Sequence, residues 1–256
     1  MQPPTDNSSR PVQSQFQPGT GRDLIAVFVY NEGLRVERVL SKLIDLRLDC
    51  DVVVIDDGSD DESPTILSRF SFPVLRHSQN LGAGAAMKDV LRYGIERENR
   101  FIVLIAGNGK MDPSEIPRLL EPLRSGECDY VQGSRYLSGG RHENMPLFRH
   151  VMIKVVTWVV WVLTGFNGTD VTCGFRAYPL SLFRNPQIDI WQTWLDQYEL
   201  EYYIHYKVIK LAYRVREVSV SMLYPKDGRP YSKIKPFVGW WSMLRPWVLL
   251  SLRIRH

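Results

Sequence analysis

The chain has 256 residues, 44% hydrophobic and 11% aromatic, enough to bury a substantial core in one large domain and to exclude a disordered chain or a small stapled scaffold. Lys plus Arg (32) barely exceeds Asp plus Glu (28), so the net charge of +4 makes no case for nucleic acid as a partner. Three cysteines, Cys50, Cys128 and Cys173, are odd in number and widely spaced, which argues against a disulfide framework and a zinc site and suits a reducing cytoplasm.

Residues 1–22 are rich in Pro, Gln, Ser, Thr and Gly and are expected to be a disordered tail without a secretory signal. From Asp23 on, apolar β-type runs alternate with helical periodicity. LIAVFV (Leu24 to Val29) predicts a strand, Leu34 to Leu46 a helix, and VVVI (Val52 to Ile55) a second strand. A helix opening at Ser63 and Pro64, a short strand near Val74, a helix over Ala83 to Arg97 and the strand FIVLIA (Phe101 to Ala106) follow. Continuous apolar strands separated by helices predict an α/β fold, a mostly parallel sheet flanked by helices, with ligands at the carboxyl ends of the strands.

Two later stretches differ in kind. VVTWVVWVLTGF (Val155 to Phe166) is uncharged but short of the roughly 20 residues of a spanning helix, so no crossing is expected. Residues 236–256 mix tryptophans with Arg245, Arg253 and Arg255; this segment either lies at a lipid interface or packs on its own domain.

The chemistry sits at strand ends. YNEG follows the first strand and DDGSDDES the second; downstream come QNLGAGAAMKDVLRYGI, YVQGSRYLSGG, TDVTCGFRAY and YSK at Tyr231 to Lys233. An aromatic face at Tyr30 can stack on a base, and the Glu32 carboxylate can accept hydrogen bonds from base or ribose. Asp60 and Asp61 read better as an acidic turn capping the helix near Ser63. Glycines in NLGAGAA would let phosphate approach a helix N-terminus, but the first strand carries no such glycines and FIVLIA ends without an acid, so a dinucleotide fold is disfavoured.

In order and spacing these segments resemble glycosyltransferase family 2, inverting enzymes of GT-A fold, and within it the dolichol-phosphate-mannose synthase-like branch, over about Asp23 to Lys233. The resemblance implies a GT-A domain over 23–235. It places Phe28, Tyr30, Glu32, Ile55, Asp57, Asn80, Gly82, Ala106 and Gly107 around the nucleotide, with Gly84 shaping the same loop. Arg135, Arg176 and Lys233 match basic positions near phosphate or acceptor, and Arg229 falls in a segment that aligns less cleanly. Lys88 reads as a surface helix residue.

One departure stands out. Where the branch carries Asp-Ala-Asp and, two positions on, Gln, this chain has AGNGKMDP: Ala106 and Asn108 replace both acids and Lys110 replaces Gln. Carboxylates there would hold a hard divalent cation against the leaving diphosphate. Three readings are open: Lys110 serves as the cation; a metal is still held weakly through Asn108, Asp112 and substrate phosphates; or the protein binds without catalysing. Asp112 followed by Pro113 and Glu115 already reads as a helix cap. The first reading requires no cofactor, Mg2+ or Mn2+ being the alternative.

The resulting expectation is an inverting transferase moving sugar from a UDP- or GDP-sugar to a polyprenyl phosphate or a small-molecule acceptor, with Lys110, Asn108, Arg135 and Asp170 in the catalytic set. Glu199 or Glu201 would be needed as a base only for a hydroxyl acceptor. His150 and His205 read as helix-surface or packing residues. Membrane-surface association at the cytoplasmic face fits this reading, nucleic acid does not, and no oligomeric state follows.

Overall fold

The structure is a computed structural model that describes residues 21–224 and 238–255, with backbone alone for 238–240. Of the expected tail only Gly21 and Arg22 are included, and Arg229 and Lys233 lie outside the described residues. In chain order the elements are β1 (Asp23–Val29), α1 (Leu34–Leu46), β2 (Cys50–Asp56), α2 (Ser63–Leu67), β3 (Val74–Arg76), α3 (Ala83–Glu96), β4 (Phe101–Ala106) and α4 (Ile116–Arg124). There follow β5 (Tyr130–Ser134), β6 (Arg141–Glu143), α5 (Leu147–Thr164), β7 (Arg176–Pro179), α6 (Glu199–Lys210), β8 (Val215–Ser219), β9 (Ser221–Leu223) and α7 (Val238–Ser251).

The expected mostly parallel sheet is present. Seven strands lie in the order β3-β2-β1-β4-β7-β5-β8, parallel except for β7, which runs antiparallel to β4 and β5. Strand alternation sends Ile25, Val27 and Val29 to one face and Leu24 and Ala26 to the other, so β1 feeds two separate cores. Helix α1 covers the first face with Val36, Val39, Leu40 and Leu43, one stripe of a 3.6-residue repeat, and α4 does so with Ile116, Leu119, Leu120 and Leu123. The opposite face is covered by α3, α5, α6 and α7. Register then sets the site: Phe28 lies beside Ile55 on β2 and Ala106 on β4, so three predicted nucleotide residues share one strand-end row.

Helix α5 is longer than the apolar run that predicts it. It begins at Leu147, because Arg149, His150 and Lys154 occupy a helix without breaking its apolar stripe. At 18 residues with mean hydropathy 1.5 it is long and apolar enough to cross a membrane by length and composition alone, so the helix is longer than the run Val155 to Phe166 implied. It nevertheless buries Ile153, Val156 and Val160 in the core. Helix α7 packs on its own domain through Met243, Trp247 and Leu250, which are buried against α6 and its neighbours, while Trp241, Leu252 and Ile254 of the same chain end stay exposed.

Two residues of α3 hold the loop ahead of α6. Lys88, expected at the surface, is buried and donates from Nζ to the Gln192 carbonyl at 2.8 Å and to the Asp196 carboxylate. Gly84 lies so close to that loop that a Cβ would stand 1.9 Å from the Leu195 carbonyl oxygen. Gly84→Ala is therefore expected to cost on the order of 3 kcal/mol through overpacking, read as a lower thermal midpoint.

Candidate active site

The turns after β1 and β2 are built as one unit. Ser63 Oγ accepts the Glu32 and Gly33 amides at 3.0 and 2.9 Å, Ser59 Oγ accepts the Asn31 amide at 2.9 Å, and the Asn31 side chain pairs with Asp60. Asp61 accepts the Ser63 amide at 2.8 Å, an Asx turn leading into α2, whose N-cap is Glu62 without a side-chain cap bond. These bonds hold Tyr30 and Glu32 at the mouth of a cleft of about 550 Å³ whose walls include Phe28, Ile55, Asp57, Asn80, Gly82 and Ala106. The cleft thus gathers all but Gly107 of the predicted nucleotide set; the Gly107 amide is spent on the Phe28 carbonyl at 2.8 Å. Gln197, Tyr198 and Ser242 complete the wall from α7 and from the segment that leads into α6, and no motif in the sequence marks them.

Asp57 shapes the far wall. It accepts the amides of Leu81 and Gly82 at 2.9 and 3.0 Å, and its Oδ1 lies 2.6 Å from His77 Nδ1. His77 Nε2 lies 2.8 Å from Asp89 on α3, so one imidazole is clamped between two carboxylates. Burial alone would depress the His77 pKa, but the hydrogen bonds from Asp57 and Asp89 outweigh it and raise the pKa. Gly58, at φ 72°, is required here because a Cβ would stand 2.3 Å from the Gln79 backbone. His77→Ala is expected to loosen this loop and weaken nucleoside diphosphate binding about tenfold, roughly the 1.4 kcal/mol of one lost charge-assisted hydrogen bond, measured by calorimetry. Because the folded pKa is raised, the His77 contribution is complete below about pH 6.5 and is lost as pH rises through the folded value.

Lys110 sits at the end of a tight loop after β4. Asn108 Oδ1 accepts the Lys110 amide at 3.1 Å, and the Lys110 carbonyl accepts from Leu223 at 2.9 Å. Asn108 therefore shapes the loop that presents Lys110. The ammonium is crowded: burial, then Arg149, Arg135 and Arg35, outweigh the attraction of Glu32 and push its pKa down to about 7. Lys110 Nζ and the Arg149 guanidinium each lie 5.7 Å from the Tyr224 ring centre, and Arg135 Nη1 donates to the Tyr224 hydroxyl at 2.9 Å. Three cations from separate parts of the chain converge on one buried ring. Arg35, Arg149 and Tyr224 carry no sequence signal, since each lies outside a recognisable motif.

Two predicted site residues have other duties. Arg176 is fully buried and donates to the carbonyls of Cys173, Glu201 and Val171, so it braces backbone and does not present charge to phosphate or acceptor. Asp170 is also fully buried and grips Arg135, accepting from Nε and Nη2 at 2.6 Å each and from the Arg135 amide at 3.1 Å. It positions Arg135. Glu199 is buried against Arg245, Glu201 lines a small apolar pocket beside the cleft, and His205 packs among Tyr130, Phe166 and Trp247.

The two weak metal candidates, Asn108 and Asp112, are already engaged by their neighbours. Asp112 is bound to Lys42 at 2.6 Å and caps Ser114 at 2.9 Å, Asn108 is folded into the loop, and an ammonium occupies the neighbourhood. Among the described residues there is no cluster of three or more His, Cys, Asp or Glu side chains able to hold a metal.

Comparison with known proteins follows the same lines. The profile of glycosyl transferase family 2 matches residues 24–186. The undecaprenyl-phosphate mannosyltransferase of Micrococcus luteus is 29% identical over 81% of this chain and 86% of its own. The polyprenol monophosphomannose synthase of Mycolicibacterium smegmatis is 26% identical over 79% and 77%. Among solved structures, glucosyl-3-phosphoglycerate synthase from Mycobacterium tuberculosis superposes with a TM-score of 0.67 at 17% identity, covering 92% of this chain and 82% of that one, a likeness of GT-A fold.

Proposed function

Because the chain belongs to glycosyltransferase family 2, we propose that it moves a sugar from a UDP- or GDP-sugar to a polyprenyl phosphate, with Lys110 standing in for a divalent cation. The observation that carries this reading is the convergence of Lys110, Arg149 and Arg135 on Tyr224 beside the cleft. The base and ribose occupy the cleft between Tyr30, Glu32 and the Asp57 loop. The diphosphate reaches the Lys110 ammonium, and the acceptor phosphate meets Arg149. One similar protein is named for undecaprenyl phosphate and the other for polyprenol monophosphomannose, which supports the acceptor class.

The chemistry needs little more than positioning. A phosphate oxygen is already anionic near neutral pH and requires no strong general base. It attacks the anomeric carbon in line, the bond to the diphosphate oxygen breaks, and the nucleoside diphosphate leaves with the electron pair, inverting the sugar. Charge gathering on that leaving group is met by Lys110, whose proton the arriving diphosphate holds more tightly.

Helix α5 supplies the approach to lipid. Leu147, Val151, Val155, Trp158 and Val162 form one exposed stripe spaced every three or four residues, and Arg149 lies at its cleft end. Laid at the cytoplasmic face of a bilayer, that stripe brings a membrane-held phosphate to the cations.

Product formation from UDP- and GDP-sugars with a polyprenyl phosphate, in excess chelator, tests the reading. Turnover should persist without added metal. Loss of activity restored by Mg2+ or Mn2+ would refute the lysine substitution, and donor binding with no turnover on any acceptor would favour a non-catalytic scaffold.

A further inference from the structure

A cavity of about 720 Å³ lies away from the catalytic cleft, where α5, α6 and α7 end. Its floor is Tyr203 and Tyr206. Lys207 and Lys210 stand one turn apart on α6, with Nζ atoms 5.4 and 5.8 Å from those two ring centres. Lys210 also donates to the Leu163 carbonyl at 3.4 Å, and Arg253 enters from beyond α7 at φ 56°. Against these three cations the lining offers one carboxylate, Asp189. Lysines in the last turn of a helix offset its dipole, but that role requires no cavity, and Arg253 lies past the helix it follows. The chain neighbours of the lining residues are apolar and exposed: Val162 next to Leu163 at 57%, and Leu252 and Ile254 on either side of Arg253 at 64% and 61%.

A cationic, tyrosine-floored cavity with an apolar rim matches an amphiphile that has an anionic head and hydrocarbon tails. We propose that this cavity binds the phosphate head group of an anionic phospholipid, anchoring the far end of α5 to the bilayer. The proposal rests on the reading of α5 as lipid-facing. The site is separate from the acceptor position, because Arg149 lies at the opposite end of that helix. Tyr203 and Tyr206 frame the phosphodiester, and Lys207, Lys210 and Arg253 meet its charge.

The test uses the full chain with dihexanoyl phosphatidylglycerol as a monomeric probe, dihexanoyl phosphatidylcholine and inorganic phosphate as controls, and vesicles with and without phosphatidylglycerol. Binding of the phosphatidylglycerol probe above both controls is expected. Lys207→Gln with Lys210→Gln should weaken it about thirtyfold, or about 2 kcal/mol, in line with about 1 kcal/mol for each basic residue near an anionic surface. The pair Lys207→Arg with Lys210→Arg should restore it, which separates lost charge from misfolding. Turnover on a soluble short-chain acceptor should not change. Unaltered lipid binding in the glutamine pair overturns the proposal, as does inorganic phosphate binding as tightly as the lipid, which marks a free-anion site. Monomer binding that persists while vesicle binding fails leaves the cavity assigned and overturns only the bilayer-facing reading of α5.

Discussion

Lys110→Ala should lower kcat/KM by about 10²–10³-fold, the usual loss when one preorganised charge at a leaving group is removed. The reason lies in how the ammonium is held. Burial and the fields of Arg149, Arg135 and Arg35 bring its pKa down to about 7 before any donor is bound. On the proposed reading an arriving diphosphate reverses that balance, and the interaction strengthens as charge collects on the leaving oxygen. The pH behaviour has a definite sign. In the free enzyme kcat/KM should fall as pH rises through about 7, because the ammonium loses its proton. The limb seen in kcat should lie higher, since the bound diphosphate retains the proton. Stability moves the other way: the unfolded chain keeps this proton up to about 10.5 while the folded, ligand-free chain has lost it, so the Lys110 contribution to stability rises with pH from about 7 to 10.5. Lys110→Gln combined with Ala106→Asp and Asn108→Asp should convert the enzyme to one that chelator silences and Mg2+ or Mn2+ revives. A triple variant indifferent to metal would show that the loop, and not its charge, decides the chemistry.

Much of this architecture is readable from periodicity. The continuous apolar run LIAVFV predicts β1 and its burial on both faces, as Ile25 and Ala26 demonstrate on opposite sides. The strand-end residues Phe28, Ile55 and Ala106 become neighbours because three parallel strands share a register. Other features have no linear signal. Arg176 is held by carbonyl oxygens, which every residue possesses, so nothing in its surrounding motif distinguishes a buried brace from a phosphate ligand. Tyr224 acquires meaning only when residues 110, 135 and 149 meet around it. Helix α5 hides its true length because its charged residues interrupt the linear run while leaving the exposed stripe intact.

Asp170→Ala should be the most destabilising single change at the site, at about 3–5 kcal/mol, because it strands the buried Arg135 guanidinium without a counter-charge. Both groups are almost wholly out of solvent, with side chains 4% and 0% exposed, and their contact is bidentate. Burial alone would depress the Arg135 pKa, but the field and hydrogen bonds of Asp170 override it and raise the pKa, so the guanidinium keeps its charge. In a chain of this size the loss should lower the melting midpoint by about 10 °C. Removing both charges is different in kind. Arg135→Met with Asp170→Leu fills the space with apolar atoms and should melt within about 1–2 kcal/mol of the wild type, since a buried ion pair adds little net stability over a hydrophobic replacement. The double variant also separates stability from catalysis. With Arg135 gone, one of the cations that depress Lys110 is absent, so the falling limb of kcat/KM should move to higher pH even where the fold is intact. A double variant as unstable as Asp170→Ala would show that Thr172 and Tyr224, the other partners of Arg135, carry the energy. An unmoved pH limb would show that Arg135 does not act on Lys110 at all.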